Sequence, residues 1–146
     1  MKKIVIIFLV IFIITCASIM AFAGDVASQD KVIVYYFHGD FRCATCYKME
    51  EYSREAIETN FKDALASEKL EFKVVNVEDH ANQHYTKDYQ LYTKTLILSL
   101  VREAKEIKWK NMDKIWEYAA DKKRFIGYLK SGVDDFLKEC KWQKCL

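Results

Sequence analysis

The chain is predicted to be an α/β domain, a central mixed four-stranded sheet flanked by helices in the order β-α-β-α-β-β-α. Three observations carry that expectation. Lys31 to Phe37 is a β-branched and aromatic run without polar alternation, the pattern of a strand covered on both faces. Cys46, Met49, Ser53, Ile57, Phe61 and Ala64 then recur at steps of three and four, one stripe of a helix. A second apolar run, Thr95 to Val101, is followed by the alternating Glu106 to Lys110, as a buried strand turning into an antiparallel edge strand would read.

In order along the chain, His38-Gly39-Asp40 ends the first strand, and the helix extends from Cys43 to about Leu65. Its polar face is Glu50, Glu51, Arg54, Glu55, Glu58 and Lys62, a charge run that reads as solvated. Ser67-Glu68-Lys69 leads into a second strand, Leu70 to Val77. His80 to Tyr89 reads as a short helix with Tyr85 and Tyr89 on one face, and Arg102 to Lys105 as the turn of the later hairpin. Ile115, Trp116 and Ala119 suggest a further short helix. Asp121 suits the N-cap of a longer one carrying Phe125, Leu129, Val133 and Phe136 or Leu137. Two parallel strands joined by a helix, then a hairpin and a closing helix, place helices on both sheet faces.

The sequence has 146 residues, 23 Lys plus Arg, 21 Asp plus Glu and no proline. Met1-Lys2-Lys3, the apolar run Ile4 to Ile14 and the A-x-A ending Ala21-Phe22-Ala23 read as a secretory signal peptide, residues 1–23. Ile13-Ile14-Thr15 before Cys16 is a loose lipidation pattern that competes with that site, and an uncleaved anchor is the third alternative. Each puts the rest of the chain outside the cytoplasm, in the periplasm or an equivalent compartment. Residues 24–30 form a polar leader, 31–139 the domain and 140–146 a cysteine-containing tail. Without Lys2 and Lys3 the charges balance at 21 against 21, which argues against general attraction to nucleic acid or acidic lipid.

The chemistry-bearing feature is Cys43-Ala44-Thr45-Cys46, two thiols three apart where strand gives way to helix. A helix N-terminus offers unpaired N–H groups and about half a positive elementary charge, so a thiol there ionises more readily than free cysteine. A structural disulfide or half a zinc site is the competing reading of the same spacing. Cys140 and Cys145 at the C-terminus could be a stapling disulfide, a second relay pair, free thiols, or ligands of a four-sulfur metal site with Cys43 and Cys46. His80 and His84, spaced i, i+4 beside Glu78 and Asp79, could share a metal, although such histidines are more often solvated. Tyr89, Tyr92, Trp109 and Trp116 could line a partner groove or simply pack. No cofactor is predicted.

The strand Val32 to Phe37, the Cys43-x-x-Cys46 motif and the segment Lys94-Thr95-Leu96-Ile97-Leu98 together resemble the thioredoxin superfamily, over about Lys31 to Lys138. Phe41 to Cys46 with Asp88-Tyr89-Gln90-Leu91-Tyr92 is similar to a smaller exported bacterial group, the ArsF family, subunits attributed to nitrophenyl-compound reduction. The resemblance implies thiol-disulfide exchange, with Cys43 attacking and Cys46 resolving. It implies a protein dithiol or disulfide as partner, including a membrane-bound electron donor or a reductase subunit. The alternative it leaves is a metal-binding or redox-inert adaptor of a larger reductase.

Departures from the family pattern mark the neighbouring candidates. Lys94, after Thr93, stands where the family carries a cis-proline facing the dithiol; a cis bond before a non-proline residue costs about 3 kcal/mol, so a trans peptide and a reshaped groove are expected. Arg42 replaces the usual tryptophan before the first cysteine, and Thr45 the proline or histidine within the motif. Arg42 and Lys94 add positive charge that would favour a thiolate, and His38 at the strand end is a further candidate for tuning it. The family's buried acid has no counterpart, since Tyr36 or Phe37 falls near its place.

Overall fold

A computed structural model describes residues 30–142. The predicted signal peptide, the leader up to residue 29, Cys16 and Cys145 lie outside the described residues. Among those described, no helix is long and apolar enough to cross a membrane.

Strand β1 (Lys31–His38) is central, because its uninterrupted apolar sequence has to be covered on both faces. It pairs in parallel with β2 (Leu70–Asn76) and antiparallel with β3 (Thr95–Arg102), which pairs antiparallel with β4 (Lys105–Asn111). The sheet order is β2-β1-β3-β4. Glu103 and Ala104 form the two-residue hairpin loop between β3 and β4, both at positive φ (50° and 61°), the handedness that matches the strand twist.

Side chains alternate across the sheet. Val32, Val34 and Tyr36 enter the larger core with Leu96, Leu98 and Leu100 from β3. That core is roofed by α1 (Ala44–Asn60) and by the long closing helix, whose Phe125, Leu129, Val133 and Phe136 are buried. Ile33, Tyr35 and Phe37 point the other way and join Ile97, Tyr85 and Tyr89 in an aromatic layer. Helices thus cover both faces of a mixed four-stranded sheet, the expected α/β architecture.

Two predicted elements break into smaller ones. The helix expected from Cys43 to Leu65 stops at Asn60, and a separate α2 covers Lys62–Ala66. Phe61 lies between them at φ −131°, outside helical values, with its ring buried. Asn60 donates its side-chain amide back to the Ala56 carbonyl at 2.8 Å, an acceptor the helix would otherwise use. The helix expected over His80 to Tyr89 is a 3₁₀ turn, His80–Asn82, followed by α3 (His84–Asp88). Asn82 there donates to the Asn76 carbonyl at 2.9 Å and holds the chain against the end of β2. The C-terminal elements are α4 (Ile115–Tyr118) and α5 (Lys122–Trp142). Asp121 accepts from the Arg124 N–H at 3.0 Å, the predicted cap.

Candidate functional site

The loop after β1 is held in place before it delivers the cysteines. Asp40 accepts from Asn76 Nδ2 at 2.7 Å, tying it to the end of β2. Gly39 lies against Glu78 so closely that a Cβ there would come within 2.2 Å of a carboxylate oxygen. Glycine is the residue that fits.

Cys43 is the N-cap of α1, in extended geometry (φ −84°, ψ 168°), and its Sγ accepts from the Cys46 N–H at 3.4 Å. A thiol thus occupies the capping position that Ser, Thr or Asp usually takes, with the free N–H groups of the first turn aimed at it. Cys46 follows one turn later and is 2% exposed, whereas Cys43 is half-exposed. Both are free thiols, Sγ to Sγ 2.8 Å.

Their acidities diverge. The Cys43 thiol is lowered, first by the hydrogen bond from the Cys46 thiol and then by N–H groups of the helix turn. The Cys46 thiol is raised, first by burial and then by its hydrogen bond to Cys43, with the Lys94 ammonium acting weakly in the opposite direction. Thiol-disulfide exchange needs a thiolate, and of the two cysteines Cys43 is the one whose surroundings favour it.

The surrounding candidates do not all converge on the sulfurs. Every peptide bond among the described residues is trans, including the one before Lys94. Lys94 is half-buried, and its carbonyl accepts from Trp116 Nε1 at 2.9 Å. Thr93, Lys94 and His38 line a small pocket of about 150 Å³ with Phe37, Glu78 and Leu91, a pocket to which neither cysteine contributes. His38 Nδ1 lies 2.9 Å from the Gly39 carbonyl.

Arg42 points along α1, ion-paired with Glu50 and over the Tyr47 ring at 4.4 Å. The charge run from Glu50 to Glu58 is therefore not wholly solvated: Glu50 is half-buried under Arg42, with Arg54 on its other oxygen at 3.3 Å. Sequence reasoning missed that pair. The signal was present, since Cys43, Tyr47, Glu50 and Arg54 fall at i, i+4, i+7 and i+11 on one stripe of the helix. It also left Tyr36 without a role. The Tyr36 hydroxyl, fully buried, donates to the Cys46 carbonyl at 2.7 Å and fixes the first turn of α1 to β1.

Cys140 is buried in α5, its thiol raised by burial. It lines a groove of about 730 Å³ with Thr59, Asn60 and Phe61, at the end of α1 remote from Cys43. Seventeen helical residues separate the two ends, about 25 Å. Cys140 therefore does not share a four-sulfur site with Cys43 and Cys46. His84 Nδ1 is 2.8 Å from Asp88 on an exposed surface. Among the described residues no three His, Cys, Asp or Glu side chains are grouped to hold a metal.

The four aromatic candidates divide. Tyr89 is buried in the aromatic layer against Trp109, rings 5.4 Å apart. Tyr92 (94% exposed) and the hydrogen-bonded Trp116 lie on the surface near Lys94, and Phe41 (78%) and Tyr47 flank the cysteines.

No protein-family model matches the chain, and no curated protein matches it. Solved structures that resemble it include a thioredoxin f2 of Chlamydomonas reinhardtii, 17% identical, covering 61% of this chain and 76% of that one with a TM-score of 0.39. A Fasciola hepatica thioredoxin is 19% identical over 63% of this chain and 81% of its own, with a TM-score of 0.37. A structure described as that of a malarial protein is 17% identical over 56% of this chain and 80% of that one, at a TM-score of 0.37. The chain is an α/β domain, a mixed four-stranded sheet flanked by helices, with a C-x-x-C pair at its first strand-to-helix junction.

Proposed function

We propose that this chain is an extracytoplasmic thiol-disulfide oxidoreductase, or a redox subunit relaying electrons to a protein partner. The observation that carries the reading is the split between the two thiols: Cys43 half-exposed, capping α1 and lowered, Cys46 buried one turn on and raised. In the reducing direction the Cys43 thiolate attacks one sulfur of a partner disulfide and expels the other as thiolate. The mixed disulfide is then cleaved by Cys46, which must first lose its proton. Its sulfur bonds to that of Cys43 and releases the second partner thiol. Two electrons pass to the partner and the dithiol ends as a disulfide; oxidation of a partner is the reverse.

Phe41, Tyr47, Tyr92 and Trp116 give the neighbourhood exposed apolar surface, which favours a polypeptide over a small charged molecule as partner. The exported address rests on residues 1–23, and the narrower likeness to the ArsF family on Phe41 to Cys46 and Asp88 to Tyr92. A partner that is itself a membrane-bound donor or reductase subunit fits both.

Cys43→Ser is expected to abolish disulfide exchange while leaving the far-UV circular dichroism unchanged, and Cys46→Ser to accumulate the mixed disulfide. Full exchange activity in Cys43→Ser would overturn the reading. The reduction potential of the pair sets the direction, a value near about −270 mV marking a reductant and one near about −120 mV an oxidant.

A further inference from the structure

Arg42 immediately precedes Cys43, yet its guanidinium is committed to the Glu50 carboxylate and the rings beside it. Its guanidinium is 15% exposed, ion-paired with Glu50 and stacked over Tyr47, with the Tyr36 ring at 5.9 Å. Its Nε is buried without a hydrogen-bond partner. The groups that lower Cys43 are Cys46 and the N–H groups of the helix turn. A full positive charge one residue from a thiolate would ordinarily be the dominant influence on it.

We infer that Glu50 is a positioning residue that withholds the Arg42 charge from Cys43 and so holds the dithiol at a more reducing potential than the bare helix N-terminus with its arginine would give. The inference rests on the redox reading of Cys43 and Cys46. Its physical content is charge bookkeeping over a short distance. Paired, Arg42 and Glu50 sum to zero; with Glu50 neutral, a net positive charge remains in the partly buried space beside the first turn of α1. Arg54 does not compensate, because it carries the same sign and has Glu58 as a second partner at 3.8 Å. The orphaned Arg42 Nε marks a guanidinium whose hydrogen bonding is incomplete where it sits, so one freed from Glu50 has a reason to turn toward the nearest anion. When Cys43 is ionised, that anion is its thiolate. A stabilised thiolate is a stabilised reduced state, and the pair becomes a stronger oxidant.

The test is a charge cycle on the full mature chain, read by equilibrating the dithiol with glutathione and quantifying the Cys43–Cys46 disulfide. Glu50→Gln is expected to raise the potential, by about 30 mV for a tenfold change in the equilibrium constant, and to quicken alkylation of Cys43 at pH 7. Arg42→Met should move both readouts the other way. Arg42→Met with Glu50→Gln should return them to near the wild-type values, and Glu50→Asp, which keeps the charge, should leave the potential unchanged. A purely structural ion pair would have both single variants loosen the first turn and shift the readouts in the same direction. That outcome, or an unchanged potential in Glu50→Gln, would overturn the inference. If instead the wild-type pair fails to exchange with glutathione at all, it is the redox reading that fails.

Discussion

Glu106 belongs to the exposed edge strand, yet it should behave on substitution like a core residue. Its carboxylate accepts from the Tyr89 hydroxyl at 2.6 Å and from the hydroxyl of Ser99. Tyr89 is 6% exposed and Ser99 not at all. An ordinary surface substitution changes stability by less than about 0.5 kcal/mol. Glu106→Ala removes the acceptor from two buried hydroxyls, and a buried donor left without its partner costs about 1–3 kcal/mol. The expected loss for the two donors is about 2–6 kcal/mol, read as a fall in the urea midpoint at unchanged m-value. The control is the triple variant Tyr89→Phe, Ser99→Ala and Glu106→Ala. Removing the hydroxyls along with their acceptor leaves nothing unsatisfied, so the triple variant should recover more than half of the single variant's loss. A Glu106→Ala protein within about 0.5 kcal/mol of wild type, or a triple variant less stable than the single one, would refute the reasoning.

Alkylation of the reduced protein at neutral pH should mark Cys43 before Cys46, with the Cys43 rate rising along a titration centred below the ordinary thiol range; peptide mass spectrometry identifies which site reacts first. Cys46→Ala removes the largest contribution to that shift, so the Cys43 profile should move to higher pH. Lys94→Met deletes the charge that opposes burial at Cys46 while leaving the backbone carbonyl that Trp116 holds. It should slow resolution of a trapped mixed disulfide, with Cys43 alkylation unaffected. An unchanged resolution rate would remove Lys94 from the mechanism.

The parts of this molecule legible in the sequence are those whose cause is local. β1 is central because six consecutive residues from Val32 are strand-forming without a polar break, and α1 presents its stripe every three or four residues. The dithiol was legible for the same reason, its two sulfurs being three residues apart at an element boundary. What escaped depends on partners set by tertiary structure. Phe61 leaves helical geometry to bury its ring, and nothing in the flanking sequence forbids the helix from continuing. The Tyr89, Ser99 and Glu106 triad joins a helix end and two strands, with a register shift between Leu100 and Val101 beside it. Tyr36 finds Cys46 because β1 and α1 pack face to face. The separation of Cys140 from Cys43 likewise follows from which end of α1 the last helix passes.

Those tertiary partners sharpen the asymmetry of the dithiol. Spacing alone sets Cys43 nearer the mouth of the helix, where the dipole acts most, and the packing widens that difference. β1 supplies Tyr36 to pin the Cys46 carbonyl, which draws Cys46 into the core and penalises its thiolate, while Cys43 stays at the cap with the N–H groups. Burial that makes Cys46 a poor nucleophile protects the mixed disulfide from premature cleavage, but it also means that resolution needs help to ionise the second thiol. Two groups act in that sense, a backbone hydrogen bond at Cys43 and, more weakly, the Lys94 ammonium. A fixed ammonium can assist ionisation of Cys46 electrostatically, but it cannot accept the proton, and among the described residues no carboxylate is fully buried to take it. Because the Cys46 thiol is raised and the Cys43 thiol lowered, the second step should go on quickening with pH after the first has levelled off.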